Sequence, residues 1–417
     1  MALPLATKLA EKEKKEGDVT RMIAHIACTA AAAFAAALAL GGPARAAEDP
    51  STFDVLEPLT GGGAFLGGTQ KKNIEVTEKM INEEGGLHGK PIHFVFHDDQ
   101  TSPQTAVQLT TEIIANHPPV VFGSTISGIC NAMTPLMQNG PVHYCFSPSV
   151  RPKDGGYEFT SQIASRDQQH ALLRFFQAKG WKRVALITTT DASGQDADKA
   201  ISGLIKEPEF KDMQLVAQEY FNPADVGITA QIARIAAQKP NVVVSWATAA
   251  AGATVFRALV QAGLDLPTAA SGSNMTYGQM TEYAAFLPSQ LFFGVSAWAA
   301  HGSASTDLPE PVLAEQRKFF AAMSAAGLHT DASADIGWDT VRIVIAALNK
   351  LPPGASAEQL HDYLENLQGY AGIDGIYNFA RVKQRGLDLN NAIVVRWDRA
   401  AKDWTPVSKL TGIPLGQ

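Results

Sequence analysis

From Phe53 onward, short apolar runs alternate with amphipathic stretches of helical length, and this alternation limits the possible folds more than any other feature. FDVLEPL is followed by a glycine-rich loop from Thr60 to Gly68 and a helix that runs to Asn82 and stops at Gly85-Gly86. The strand PIHFVFHDD comes next, then a helix from Thr105 to Asn116 that leads back to a strand at Val120. The pattern repeats through strand VHYCFS, helix Gln168 to Lys179, strand RVALITTT, helix Asp196 to Ile205 and strand QLVAQEYF. It continues through helix Ile228 to Ala237, strand NVVVSWA, helix Gly252 to Ala262 and strand PTAASGS. Strands separated by helices of ten to fifteen residues build parallel sheets from βαβ units, so the predicted class is α/β. A chain of 417 residues is too long for one core and should divide into two lobes. After Leu291, the run FFGVSAWA and helices over Glu310 to Ala326 and Asp335 to Leu351 are expected to return the chain to the first lobe.

Residues 1 to 46 are expected to lie outside this fold. Residues 1 to 21 are charged and of low complexity, and Met22 reads as the start of a secretory signal peptide. Arg21 precedes it, an apolar run spans Ile26 to Leu40, and Ala44-Arg45-Ala46 supplies the cleavage site before Ala47. The apolar run is too short and alanine-rich to anchor in a membrane, and it follows Cys28, which argues against a lipid anchor there. The expected location is therefore the periplasm. The chain carries a formal net charge of −7, and the leader holds more basic than acidic residues, so its removal leaves a still more acidic protein. That balance argues against nucleic acid and anionic membrane surfaces as partners. Two cysteines remain, Cys130 and Cys145, and an even pair in an oxidising compartment is a disulfide candidate; two buried free thiols are the alternative.

The candidate site centres on Val120 to Arg151, where two apolar runs end in small hydroxyl residues on either side of a helical stretch from Asn131 to Gln138. Ligands of parallel α/β sheets sit outside the carboxyl ends of the strands, so Ser124, Thr125, Ser127, Ser147 and Ser149 are expected to converge. Hydroxyls and free backbone N–H groups suit a carboxylate. A single serine at a strand end is commonly a turn or cap residue, and the functional reading rests on the repetition.

Other chemistries find no support. Gly62 to Gly67 is followed by Gly68-Thr69 without a P-loop lysine, and Gly61 and Gly63 lack the third glycine of a dinucleotide fingerprint, so no cofactor is expected. His93 and His97 share one strand face, but two ligands fall short of a structural metal site, and Asp98 and Asp99 read as loop caps. No Gly-x-Ser-x-Gly elbow occurs, because Thr125 and Asp191 stand where the first glycine would precede Ser127 and Ser193. The chain is not expected to be an enzyme.

Pro58-Leu59-Thr60-Gly61 with Gly67, the segment INEEGGLHG with Lys90 and Ile92, and His97-Asp98-Asp99-Gln100 resemble the substrate-binding proteins of branched-chain-amino-acid-type, Liv-like ABC transporters. The stretch Gly123 to Ser149, Asp191 to Asp196 and Tyr370 to Gly375 extend this resemblance over the chain beyond the leader. It implies a type I periplasmic binding protein, with two Rossmann-like lobes and parallel sheets joined by a three-segment hinge. One lobe would comprise 47–166 and 297–373, the other 167–296 and 374–417. The protein would act as a monomer, close on a small molecule and deliver it to ABC permease subunits. By position, Ser127 and Ser149 would hold a ligand carboxylate, with Ser124 and Ser147 beside them. Ser193 in the Asp191 to Gln195 loop, and Trp246 and Thr248 at a strand end, would close over the ligand, while Phe65 and Leu66 fall at an aromatic contact position.

The amino-acid binders of this group hold the ligand ammonium with an acidic residue at the loop corresponding to Ser271-Gly272-Ser273-Asn274. Here no Asp or Glu occurs between Asp265 and Glu282. A buried ammonium without a partner costs several kcal/mol. Asp191 or Asp196 would have to substitute, which keeps an amino acid or amide as the alternative ligand. The primary expectation is an aromatic or related organic carboxylate, with Arg151 pairing its acid group and Trp246, Tyr277, Phe65 and Trp298 as stacking walls. Ordinary core packing is the competing role for each aromatic, and solvent exposure for Arg151. A ligand sensor with the same fold is the non-transport alternative.

Overall fold

In a computed structural model, residues 51–300 and 308–416 are described; the leader and cleavage site expected at 1–46 lie outside them. The first sheet contains β1 (Ser51–Glu57), β2 (Ile92–Asp98), β3 (Val120–Gly123), β4 (Val142–Tyr144) and β5 (Glu158–Phe159), in the order β2-β1-β3-β4-β5 and parallel throughout. The second begins with β6 (Arg183–Thr189), β7 (Gln214–Phe221), β8 (Val242–Trp246), β9 (Thr268–Ala270) and β10 (Leu291–Ser296), also parallel. A separate antiparallel ribbon pairs β11 (Gln368–Ala371) with β12 (Ile376–Asn378). β13 (Ala392–Asp398) and β14 (Asp403–Pro406) then add an antiparallel edge to the second sheet, giving the order β14-β13-β10-β9-β8-β6-β7.

The sequence pattern explains the layers. Every residue of β3 and of β8 is buried, as expected of parallel strands covered on both faces. Phe53, Phe94, Phe122 and Phe146 form a continuous aromatic ladder in the first lobe, with ring centroids 5.8 to 6.3 Å apart. Val184, Leu186, Val242, Val244 and Phe292 fill the corresponding core of the second.

The chain crosses between the lobes three times. It leaves the first sheet after β5 for the helix Ser165–Ala178, returns after β10 into the helices Glu310–Ala325 and Ala332–Lys350, and crosses again from the ribbon into β13. The helix Ala332–Lys350 lies on the first lobe's helix Ala64–Glu83, where Gly337 admits Ile74: a Cβ at Gly337 would stand 2.8 Å from Ile74 Cγ1. Among the described residues, no helix is long and apolar enough to cross a membrane.

Two local expectations need correction. The glycine-rich segment is not a loop through Gly68, because the helix starts at Ala64 after a single 3-10 turn, Gly61–Gly63. A Cβ at Gly67 would lie 2.4 Å from the Pro58 carbonyl oxygen, so this glycine lets the helix approach the strand end and offsets its poor intrinsic helicity. The helix expected over Asn131 to Gln138 begins earlier, as Ser127–Met133, and yields to a 3-10 turn at Thr134–Met137 that contains Pro135.

Candidate functional site

The carboxyl ends of the strands and the crossing segments enclose a cavity between the lobes. The first lobe contributes Leu66, Thr125, Ser127, Ser147, Pro148 and Ser149. The second contributes Ser193, Thr248, Ser271, Gly272, Ser273, Val295 and Ser296, with Gln162, Gln168, Trp298, Ala332, Asp335 and Ile336 from the crossings and the elements that follow them.

The hydroxyls are arranged in linked pairs. Ser127 Oγ and Ser147 Oγ are 2.8 Å apart, and the Ser149 N–H donates to Ser147 Oγ at 3.3 Å. Opposite them, Thr248 Oγ1 donates to Ser193 Oγ at 2.8 Å, and the Ser271 and Ser273 hydroxyls are 3.0 Å apart. Asp191 shapes the edge of this wall by accepting from the Thr189 hydroxyl and the Gly194 N–H, which caps the helix Ala192–Leu204 and presents Ser193 in its first turn.

Four buried polar atoms on lining residues have no hydrogen-bond partner among the described residues: Gln162 Nε2, Gln168 Oε1, Trp298 Nε1 and Asp335 Oδ1. Their side chains belong to residues only 3 to 4% exposed. Buried polar groups are ordinarily satisfied, so these donors and acceptors leave the cavity with the capacity to hold polar atoms. Burial, and next the neighbouring Asp339 carboxylate, push the Asp335 carboxyl well above its ordinary range. Among the described residues, no Lys, Arg or His lines the cavity.

Of the residues singled out from sequence, Leu66, Thr125, Ser127, Ser147, Ser149, Ser193, Thr248 and Ser273 come together here, with Trp298 as an apolar wall. The others lie elsewhere. Ser124 is fully buried and donates to Asp99 Oδ2 at 2.7 Å. Trp246, the last residue of β8, is sealed in the core. Phe65 packs edge-on against Tyr283, their centroids 6.4 Å apart, and Tyr277 donates to Asp403 at 2.6 Å. Arg151 turns to the Asp196 carboxylate on the second lobe, which satisfies its charge away from the cavity. His93 and His97 pair with Glu78 and Asp54. Cys130 and Cys145 are joined as a disulfide, with Cα atoms 6.1 Å apart, which ties the helix carrying Ser127 to the strand end leading to Ser147.

Sequence reading missed Gln162, Gln168, Ser271, Ser296 and Asp335. The first, second and last come from crossing segments or the helices they enter, which no strand-end rule reaches. A weak signal existed for Asp335: with Asp339 it places two acids four residues apart in a predominantly apolar helix.

Comparison with known proteins agrees with this architecture. Residues 53–402 match the family model described as periplasmic binding protein. A Leu/Ile/Val-binding protein homolog from Brucella melitensis is 26% identical over 238 residues, 56% of this chain and 63% of that protein, so the match spans less than two thirds of the relative's length. A solute-binding protein of an ABC transporter from Rhodopseudomonas palustris, in complex with benzoate, superposes with a TM-score of 0.72 at 18% identity, covering 88% of this chain and 98% of that one. The branched-chain amino acid transporter substrate-binding protein of Streptococcus pneumoniae, in complex with isoleucine, gives 0.70 at 16% identity, covering 85% and 98%. The chain belongs to the periplasmic binding protein family and has its type I, Leu/Ile/Val-binding-protein-like fold.

Proposed function

We propose that this protein is an exported, monomeric solute-binding component of an ABC importer, which captures a small organic carboxylate between its lobes and presents it to permease subunits. The observation that carries this reading is the two-lobed cavity faced by linked hydroxyls, with four buried polar atoms left open. In this reading Ser127, Ser147 and Ser149 hold the carboxylate, and Ser193, Thr248 and Ser273 close over it. Hydroxyl and backbone donors can bind an anion without a formal counter-charge, as a preorganised dipolar site does. The mechanism is capture and lobe closure, with no bond made or broken.

The solved neighbours carry benzoate and isoleucine, and both ligands present a carboxylate. Trp298, Val295 and Ile336 form an apolar wall that suits an aromatic acid. An amino acid is the second reading. The acid missing from the Ser271 to Asn274 loop counts against it, yet Asp335 reaches the cavity from a different element.

The test is calorimetric binding of carboxylates by protein first stripped of ligand. Ser127→Ala and Ser149→Ala are each expected to weaken binding by about tenfold, equivalent to about 1.4 kcal/mol, without changing the unliganded melting temperature. Wild-type affinity in both would remove the hydroxyl cluster from the site.

A further inference from the structure

A second cleft, of about 960 Å³, shares no lining residue with the cavity between the lobes. That volume lies at the upper end of the range of about 300–1,000 Å³ found for small-molecule sites. The cleft is built where the short helix Tyr277–Glu282 and Leu287 face the end of β13 and the turn that leads into β14. Its floor is apolar and fixed, because Met280, Leu287 and Trp397 are only 1 to 7% exposed. Tyr277 and Trp397 meet edge to face, with ring centroids 6.2 Å apart and planes at 75°, and Trp404 backs them at 4.4 and 4.8 Å. His329 closes one side, its ring 4.6 Å from that of Tyr277. Two rings near a right angle form a corner, where a planar guest stacks on one and meets the edge of the other.

The rim carries positive charge that the protein leaves unused. Arg399 and Lys402 line the cleft from the β13–β14 turn, and neither pairs with an acid among the described residues. Arg399 gives its Nη2 hydrogen to the Leu287 carbonyl, which anchors the guanidinium at the cleft. The acids of the turn are committed elsewhere. Asp398 accepts from the N–H groups of Ala400 and Ala401 at 2.8 and 3.0 Å. Asp403 accepts from the Tyr277 hydroxyl at 2.6 Å and the Trp404 N–H at 2.8 Å. Among the described residues, Glu282 is the only acid on the lining, against two cations. A lone surface cation is ordinarily just solvated, but two beside an apolar aromatic floor act on a guest that is itself partly shielded from water.

We propose that this cleft is a second small-molecule site, which takes a planar aromatic anion with its ring against Tyr277 and Trp397 and its acid group on Arg399 and Lys402. The guanidinium fork suits a carboxylate or sulfonate, and the ammonium adds a point charge beside it. The site stands whether or not the cavity between the lobes captures a carboxylate, since the two have no residue in common.

The probe is naphthalene-2-sulfonate, titrated by calorimetry into the purified full chain and compared with the uncharged 2-naphthalenemethanol. The sulfonate should bind with a dissociation constant below about 1 mM, and about tenfold or more tighter than the alcohol. Arg399→Gln combined with Lys402→Gln should weaken it by about tenfold, whereas Glu282→Gln should tighten it about two- to threefold. All three side chains are exposed, so the unliganded melting temperature should stay at the wild-type value in both variants. Full retention of sulfonate binding in the double variant overturns the proposal, as does its loss in Ser127→Ala, which would put the probe in the cavity between the lobes. Equal binding of the alcohol, or no saturable binding of the sulfonate up to about 1 mM, overturns it as well.

Discussion

Arg151 and Asp196 form an ion pair that joins the two lobes, with Arg151 Nε donating to Asp196 Oδ1 while Asp196 also accepts from Ser165 Oγ. Arg151 lies beyond the fourth strand of the first sheet, and Asp196 on the helix after the first strand of the second. The pair therefore contributes only while these surfaces are together. Its arginine side chain is 50% exposed, so its worth is that of a surface pair, below about 1 kcal/mol. Arg151→Ala should lower ligand affinity by about two- to fivefold at low salt, mainly through faster dissociation, and the difference should shrink at high salt. Stopped-flow dissociation rates identical to wild type at low ionic strength would show that the pair plays no part in closure.

Gly194 marks the tightest backbone approach near the cavity. A Cβ there would stand 1.9 Å from the Thr189 carbonyl oxygen, a backbone atom that cannot swing aside. Gly194→Ala is expected to destabilise the fold by ~1–3 kcal/mol and to weaken ligand binding by displacing the neighbouring Ser193. A Cβ at Gly203, in the same helix, would meet nothing within 4 Å, and Gly203→Ala should instead stabilise by up to ~1 kcal/mol. Thermal unfolding of the two variants side by side checks the contrast; equal shifts would rule out the steric account.

The parallel sheets were legible because buried strands such as VVFG and VVVSW are almost wholly apolar and are separated by amphipathic helices. The serine cluster was legible for the same reason, since strand ends define where ligands sit. What sequence order could not show was long-range capture of charge. Arg151 follows Ser149 by two residues and so looked like a ligand partner, yet a carboxylate 45 residues away holds it. Conversely, Asp335 is 186 positions from Ser149 in the numbering and meets it in one cavity through a chain crossing. The glycines of the Thr60 to Gly68 segment misled for a local reason: helix propensity argues for a loop, whereas the close approach to Pro58 selects glycine inside a helix.

The Cys130–Cys145 disulfide closes a segment of 15 residues and is fully buried beside Val150. In the chain-entropy model a loop of that size stabilises the fold by about 3 kcal/mol. The bridge also spaces Ser127 from Ser147, so its loss should affect the cavity as well as the fold. The double variant Cys130→Ala, Cys145→Ala is expected to lose about 3 kcal/mol in urea unfolding and to bind ligand more weakly. An unchanged urea midpoint in the double variant would show that the bridge is energetically idle.

The acids beneath the serine loop, Asp99 and Glu57, make the stability of the fold depend on pH. Burial raises the Asp99 carboxyl to about 6, against the stabilising bonds it accepts from the Ser124 hydroxyl and the Thr101 N–H. Glu57 beside it is raised as well, first by burial and then by Asp99. A raised carboxyl holds its proton more tightly in the folded than in the unfolded chain, so folding is favoured by protonation. That contribution is complete below the unfolded value near 4 and is lost as pH rises through about 6. Asp98 and Asp388 are lowered instead and give the opposite slope below the ordinary carboxylate range. Buried His143, lowered to about 4, opposes the decline in the same window, whereas Asp339, raised by burial to about 6, adds to it, as do the raised Asp335 and Asp374. The unliganded protein should therefore lose stability between about pH 4 and 6.5. Asp99→Asn should flatten that decline by ~1–3 kcal/mol, because the amide oxygen still accepts a hydrogen bond but nothing titrates. Urea unfolding of wild type and variant across this range gives the answer, and parallel curves would show that Asp99 ionises in the folded protein as it does in the unfolded chain.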